Sequence, residues 1–156
     1  MTEINLYVGS YSSDIEAEER FLSDLRCRTD SLISINVLGK ESVEGWKNPQ
    51  LGRFMIPELQ QFKGHAIYMD VMVKPYDEIE KLLPLMPETK GWLCAFGLHS
   101  EVSLINCERF NWDWWISTGW LQDCDWSVPD AIAYLSQHSQ LGISSLMEWC
   151  QTYSSE

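Results

Sequence analysis

The sequence predicts an α+β chain: one largely antiparallel sheet with a ferredoxin-like (split βαβ) core, helices mainly on one face, and a helical C-terminal extension. Three observations point there. Strand-like alternation and helix-like spacing succeed one another as β-α-β, and after a loop with a short helix the same order returns. Further strand candidates then follow closely enough to pair as hairpins. The C-terminal segment goes back to helical spacing. The 156 residues suit a single domain over 1–156, because a chain of this length buries enough surface to stand without disulfides.

Ile4, Leu6 and Val8 alternate with Asn5 and Tyr7, so residues 4–10 read as a strand. Ser13 and Glu16 have capping-box spacing and open a helix whose apolar face is Ile15, Phe21, Leu22 and Leu25. Glu16, Glu18 and Glu19 fall in its first turns, where the helix dipole favours acids. Residues 32–38 form a second strand. Residues 39–53, with Gly39, Gly45, Pro49 and Gly52, make an irregular connection. Pro57 opens a short helix to about Phe62, which Gly64 ends. Residues 65–73 are a third strand, with Ile67, Met69, Val71 and Val73 on one side and Tyr68 and Asp70 on the other. Tyr76, Ile79, Leu82 and Leu83 have helical spacing until Pro84. Trp92–Leu98, Val102–Cys107 and Phe110–Ile116 read as the remaining strands. Ser127 caps a helix carrying Val128, Ala131, Ile132 and Leu135. Gly142 breaks it, and Ile143, Leu146, Met147 and Cys150 suggest a last short helix.

The chain carries 11 Lys+Arg against 23 Asp+Glu, a formal charge of −12. Such a field repels polyanions, which excludes direct nucleic-acid binding through phosphate neutralisation and disfavours an anionic membrane surface. It favours a basic protein partner. No run of 18 apolar residues is present, and Met1–Asn5 lacks the basic start and apolar core of a leader, so the expected location is cytoplasmic. Cys27, Cys94, Cys107, Cys124 and Cys150 are widely spaced and form no CxxC, which argues against a disulfide framework or a zinc site. Phosphate-loop, dinucleotide-binding, nucleophile-elbow and HExxH motifs are all missing, so no cofactor or metal is expected. His65, His99 and His138 are far apart in sequence. Cys94 with His99 could form a dyad only across a turn, and Asp123-Cys124-Asp125 reads first as an acidic, solvated turn.

One segment stands apart. Residues 110–126 hold five of the 8 Trp, and no Lys or Arg follows Arg109. If 110–116 is a strand, Phe110, Trp112, Trp114 and Ile116 face a core, and Trp115 beside Asp113 faces out. Trp120 and Trp126 flank the Asp123–Asp125 turn. Aromatic anchors among carboxylates suit a protein interface, so the expected partner-binding residues are Asp113, Trp115, Trp120, Asp123, Asp125 and Trp126.

In size, acidity and Trp content, carried by this Phe110–Trp126 stretch, the chain resembles bacterial immunity proteins. The resemblance implies a non-enzymatic inhibitor, of immunity or phage anti-defence type, that occludes a basic partner such as a toxin or nuclease. The alternative is a small cytosolic enzyme with a dispersed site, in which His65, His99 or a cysteine converges with carboxylates. A third reading is carbohydrate binding on an exposed Trp platform.

Overall fold

The computed structural model describes residues 4–11, 15–28, 33–39, 41–75, 78–86, 88, 91–94, 102–110, 117–135, 141–143 and 150–152. It begins with a βαβ unit: β1 (Ile4–Ser10), α1 (Ile15–Arg26) and β2 (Ile33–Gly39). A 3-10 segment, Pro49–Met55, runs directly into α2 (Ile56–Leu59). β3 (His65–Asp70), β4 (Val73–Pro75), a second 3-10 segment (Ile79–Leu85), β5 (Trp92–Cys94) and β6 (Val102–Asn106) follow. A short 3-10 turn (Cys107–Arg109), α3 (Thr118–Asp123), α4 (Val128–Leu135), β7 (Leu141–Ile143) and β8 (Cys150–Thr152) complete the order.

The α+β class holds, but the sheet is mixed rather than largely antiparallel, and its core is not ferredoxin-like. Six strands lie in the order β2-β1-β3-β6-β5-β7. β1 is parallel to both β2 and β3, β6 is antiparallel to β3 and β5, and β7 is parallel to β5. A small separate sheet pairs β4 with β8. The parallel half follows from the connections. α1 carries the chain from β1 to β2, and the long 40–64 connection carries it back across β1 into β3 in the same direction.

Both faces of the sheet are covered, which corrects the one-faced arrangement. Residues 66–69 of β3 are all buried, as are Leu6, Tyr7 and Val8 of β1, so neither strand has a solvent face. One face packs Leu6, Val8, Ile67, Met69 and Leu104 against Ala17, Phe21 and Leu25 of α1 and against Ile79 and Leu82. The other packs Tyr7, Ala66, Tyr68 and Ile105 against Trp46, Leu51, Phe54 and Ile56, and against Leu121 and Ile132 of α3 and α4.

Local expectations divide in the same way. α1 and α4 form where their spacing places them, and Ser127 accepts from the Asp130 N–H at the start of α4 (3.2 Å). Ile15 is 68% exposed and belongs to no apolar face. The third strand stops at Asp70, where Asp70 Oδ1 accepts from the Met72 N–H (3.0 Å) and turns the chain before β4. The helix expected over 76–83 is a 3-10 segment with Pro84 inside it. The helical C-terminal extension is corrected at both of its described ends, since 141–143 and 150–152 are strands. The capping-box Ser13 and the strand expected over 111–116 lie outside the described residues.

Candidate functional site

In an open parallel sheet, ligands bind outside the carboxyl ends of the strands, where the strand order reverses. Here that point lies between β1 and β3: the chain leaves β1 toward β2 on one side and returns to β3 on the other. The carboxyl end of β1 supplies Gly9, Ser10 and Tyr11, and that of β3 supplies Tyr68 and Asp70, with Gly9 paired to Asp70 across the ladder. The Val71 N–H donates to the Gly9 carbonyl (3.1 Å) and holds the two ends together.

Arg53 packs against these strand ends. It sits in an otherwise apolar run, Leu51–Ile56, and is 2% exposed, which an arginine tolerates only when its charge is compensated. Its Nε donates to the Gln50 carbonyl (2.9 Å), and its guanidinium carbon lies 4.7 Å from the centre of the Tyr68 ring, a cation–π arrangement. The Tyr68 and Tyr11 hydroxyls are 3.1 Å apart. Two glycines leave room for these rings. A Cβ on Gly9 would lie 2.0 Å from the Tyr68 hydroxyl oxygen, and one on Gly52 would lie 3.3 Å from the Tyr11 ring.

The electrostatics follow from this burial. Desolvation raises the Asp70 carboxyl above the usual carboxylate range, and the Met72 N–H and the Arg53 charge pull it partly back. Burial pushes the Tyr68 phenol well up and the Tyr11 phenol up, with Arg53 opposing both, so each remains an O–H at neutral pH. The strand ends therefore place a half-buried carboxylate and a half-buried phenol, Asp70 and Tyr11, beside the buried Tyr68 and Arg53. That set suits a ligand rich in hydroxyls and carrying anionic groups. Asp70 is a single carboxylate, and among the described residues no three of His, Cys, Asp and Glu converge to hold a metal. A Mg²⁺ ion here would draw its other ligands from substrate phosphate and water, as Mg²⁺ usually does.

The sequence-predicted residues lie elsewhere. Trp120 is 43% exposed on α3, and Asp123 and Asp125 are exposed beyond it. Trp126 is half-buried, and its carbonyl accepts from Asn48 Nδ2 (2.7 Å). Its ring meets Trp120 edge-on at 5.5 Å between centroids and Tyr134 at 5.3 Å. Trp126 is thus partly spent on anchoring α3 and α4 to the 46–56 segment. Asp113 and Trp115 lie outside the described residues. Cys124 is buried between two exposed aspartates, so Asp123-Cys124-Asp125 does not converge on a metal. His65 is exposed at the opposite end of β3 from Asp70, His99 and His138 lie outside the described residues, and nothing is described of the Cys94 side chain. Burial and the neighbouring Glu108 push the Cys107 thiol up to about 12, which rules it out as a thiolate nucleophile at neutral pH.

Tyr11, Arg53, Tyr68 and Asp70 were missed by motif search. One signal was available: a lone arginine inside an apolar run is either exposed by a break or buried for a reason.

The sequence matches no protein-family model and no curated protein. The fold matches solved structures. The apo form of the glycosyltransferase GlyE from Streptococcus pneumoniae TIGR4 superposes with a TM-score of 0.60 at 14% identity, over 92% of this chain and 46% of that one. A second GlyE structure gives 0.61 at 13% identity, over 92% and 45%. Mouse xyloside xylosyltransferase 1, apo form, gives 0.58 at 8% identity, over 93% and 85%. At these identities the likeness is one of fold, and the chain spans less than half the length of GlyE. The inhibitor expectation, with its immunity, toxin-inhibitor and non-enzyme readings, is corrected here. Nearly the whole chain adopts a fold that solved glycosyltransferases share. Among the described residues no helix is long and apolar enough to cross a membrane.

Proposed function

We propose that the chain is a glycosyltransferase domain that holds a nucleotide-linked sugar donor at the carboxyl ends of β1 and β3. The observation that carries the reading is the buried polar cluster at the switch point: Asp70, Tyr68 and Tyr11 over Arg53, in a fold shared with glycosyltransferases. The chemistry is consistent with the groups present. In glycosyl transfer an acceptor hydroxyl oxygen bonds to the anomeric carbon, the bond from that carbon to the donor phosphate breaks, and the electron pair leaves on the diphosphate. The acceptor's proton passes to base or solvent. The leaving group gains negative charge, and a fixed cation in a low-dielectric pocket stabilises such charge without reorganising. Arg53 supplies a positive potential beside these strand ends. Asp70 accepts from donor hydroxyls, and would be the carboxylate to hold a divalent cation if one accompanied the donor.

The test is titration calorimetry with a panel of nucleoside diphosphate sugars, on the wild type and Asp70→Asn. The reading expects at least one donor to bind and the variant to bind it at least about tenfold more weakly, a difference of roughly 1.4 kcal/mol. No binding across the panel would overturn it.

A further inference from the structure

β2 is the terminal strand of the six-stranded sheet, with β1 as its one neighbour among the described residues. It is seven residues long, and its sequence, Ile33-Ser34-Ile35-Asn36-Val37-Leu38-Gly39, contains no charge and no proline. The opposite edge is guarded by brevity, since β7 has three residues. Natural sheets blunt a long edge with lysine, proline, a bulge or a covering element, because an unpaired edge templates another strand. β2 has none of these sequence guards. Val37 is 38% exposed, and the residues from Ile33 to Asn36 are half-exposed.

We propose that the β2 edge is a homodimer interface, in which a second copy pairs β2 antiparallel to β2 and continues the sheet across a two-fold axis. Two features of the strand choose this occupant. The first is self-complementarity. With Asn36 on the axis, Ile35 of each copy stands opposite Val37 of the other, a β-branched cross-strand pair of the kind that stabilises sheets. The second is charge. Each copy carries −12 overall, so two copies can approach closely only along a neutral strip, and β2 is one. Its flanks differ in sign: Arg26 and Arg28 outweigh Asp30 before the strand, whereas Glu41 and Glu44 outweigh Lys40 after it. Antiparallel pairing sets the basic flank of each copy beside the acidic flank of the other, whereas a parallel arrangement would set like beside like. The interface is isologous and closed, so assembly stops at two.

The experiment uses the full chain. Light scattering after size exclusion at tens of micromolar reads twice the chain mass. Val37→Lys, at an exposed position, returns it to one chain mass with a single cooperative melt, shifted down only by the loss of the partner. In a Cys27→Ser background, which removes the exposed thiol among the described cysteines, Asn36→Cys forms an oxidative crosslink absent from the Cys27→Ser parent, because residues on the axis have Cα atoms within the roughly 4.4–6.8 Å that a disulfide spans. Ser34→Cys does not, because the same register separates its two copies by about 13 Å along the strands. A single chain mass for the wild type would overturn the proposal, as would a larger undefined mass. Equal crosslinking at 34 and 36 would overturn the register.

Discussion

The switch-point cluster and the α3–α4 aromatic corner are built from opposite materials. The corner holds Trp126 edge-on to Trp120 and Tyr134, both exposed, with the exposed Asp123 and Asp125 between the two tryptophans in sequence. The other region holds a buried arginine and a buried tyrosine beside a half-buried tyrosine and a half-buried carboxylate. Exposed acids and aromatics cost a protein little to display. A buried guanidinium and a desolvated carboxylate are expensive, and they persist where something other than stability retains them. The two regions thus differ in what their side chains cost the fold, and that difference is what the proposed site rests on.

Substitutions can break or sharpen that contrast. The largest effect is expected from Gly9→Ala, because the new Cβ meets the fully buried Tyr68 hydroxyl. Denaturant unfolding should show a loss of about 1–3 kcal/mol, as overpacking usually costs, together with loss of donor binding. Asp70→Asn is expected to separate function from stability. It keeps an oxygen acceptor for the Met72 N–H and removes the desolvated charge, so donor binding falls at least about tenfold while the fold becomes more stable at neutral pH.

The pH dependence carries the same contrast. Because the folded-state pKa of Asp70 is raised, the native state binds a proton more readily than the unfolded chain does, and this residue's contribution to stability falls as pH rises through that raised value. The stability gap between Asp70→Asn and the wild type should be widest near neutrality. It should close in acid, below the ordinary carboxylate range, where Asp70 is protonated folded or unfolded. Thermal melts across pH 3 to 8 check it, where a gap independent of pH would contradict the assignment (about 3.9 is the ordinary aspartate value).

Smaller effects belong to the corner. Trp126→Ala should cost about 1 kcal/mol through lost packing on the core below it, with donor affinity unchanged. Trp120→Ala, Asp123→Asn and Asp125→Asn should each stay within about 0.5 kcal/mol and leave donor binding intact. A loss of donor affinity in any of them would bring the corner into the site.

Much of the scaffold was legible in the sequence. The alternation of Ile4, Leu6 and Val8 and that of Ile67 and Met69 located β1 and β3, and the strand expected over Val102–Cys107 is β6, one residue shorter. Strand direction was not legible, because parallel and antiparallel strands alternate alike. A clue to a two-faced sheet lay in Leu6-Tyr7-Val8 and Ala66-Ile67-Tyr68-Met69, whose apolar runs leave no solvent side. Leu141-Gly142-Ile143 is a strand because β5 pairs with it, and no local pattern encodes that. The cluster itself was invisible as a motif. Tyr11 and Asp70 are far apart in sequence and meet through the parallel pairing of β1 and β3, and Arg53 reaches them from the 3-10 segment Pro49–Met55.

The most direct measurement is the calorimetric titration of nucleoside diphosphate sugars into the wild type, Asp70→Asn and Trp120→Ala side by side. The account predicts that one donor binds the wild type and Trp120→Ala alike and binds a folded Asp70→Asn at least about tenfold more weakly. Equal affinity for all three proteins, or binding lost only in Trp120→Ala, would contradict it.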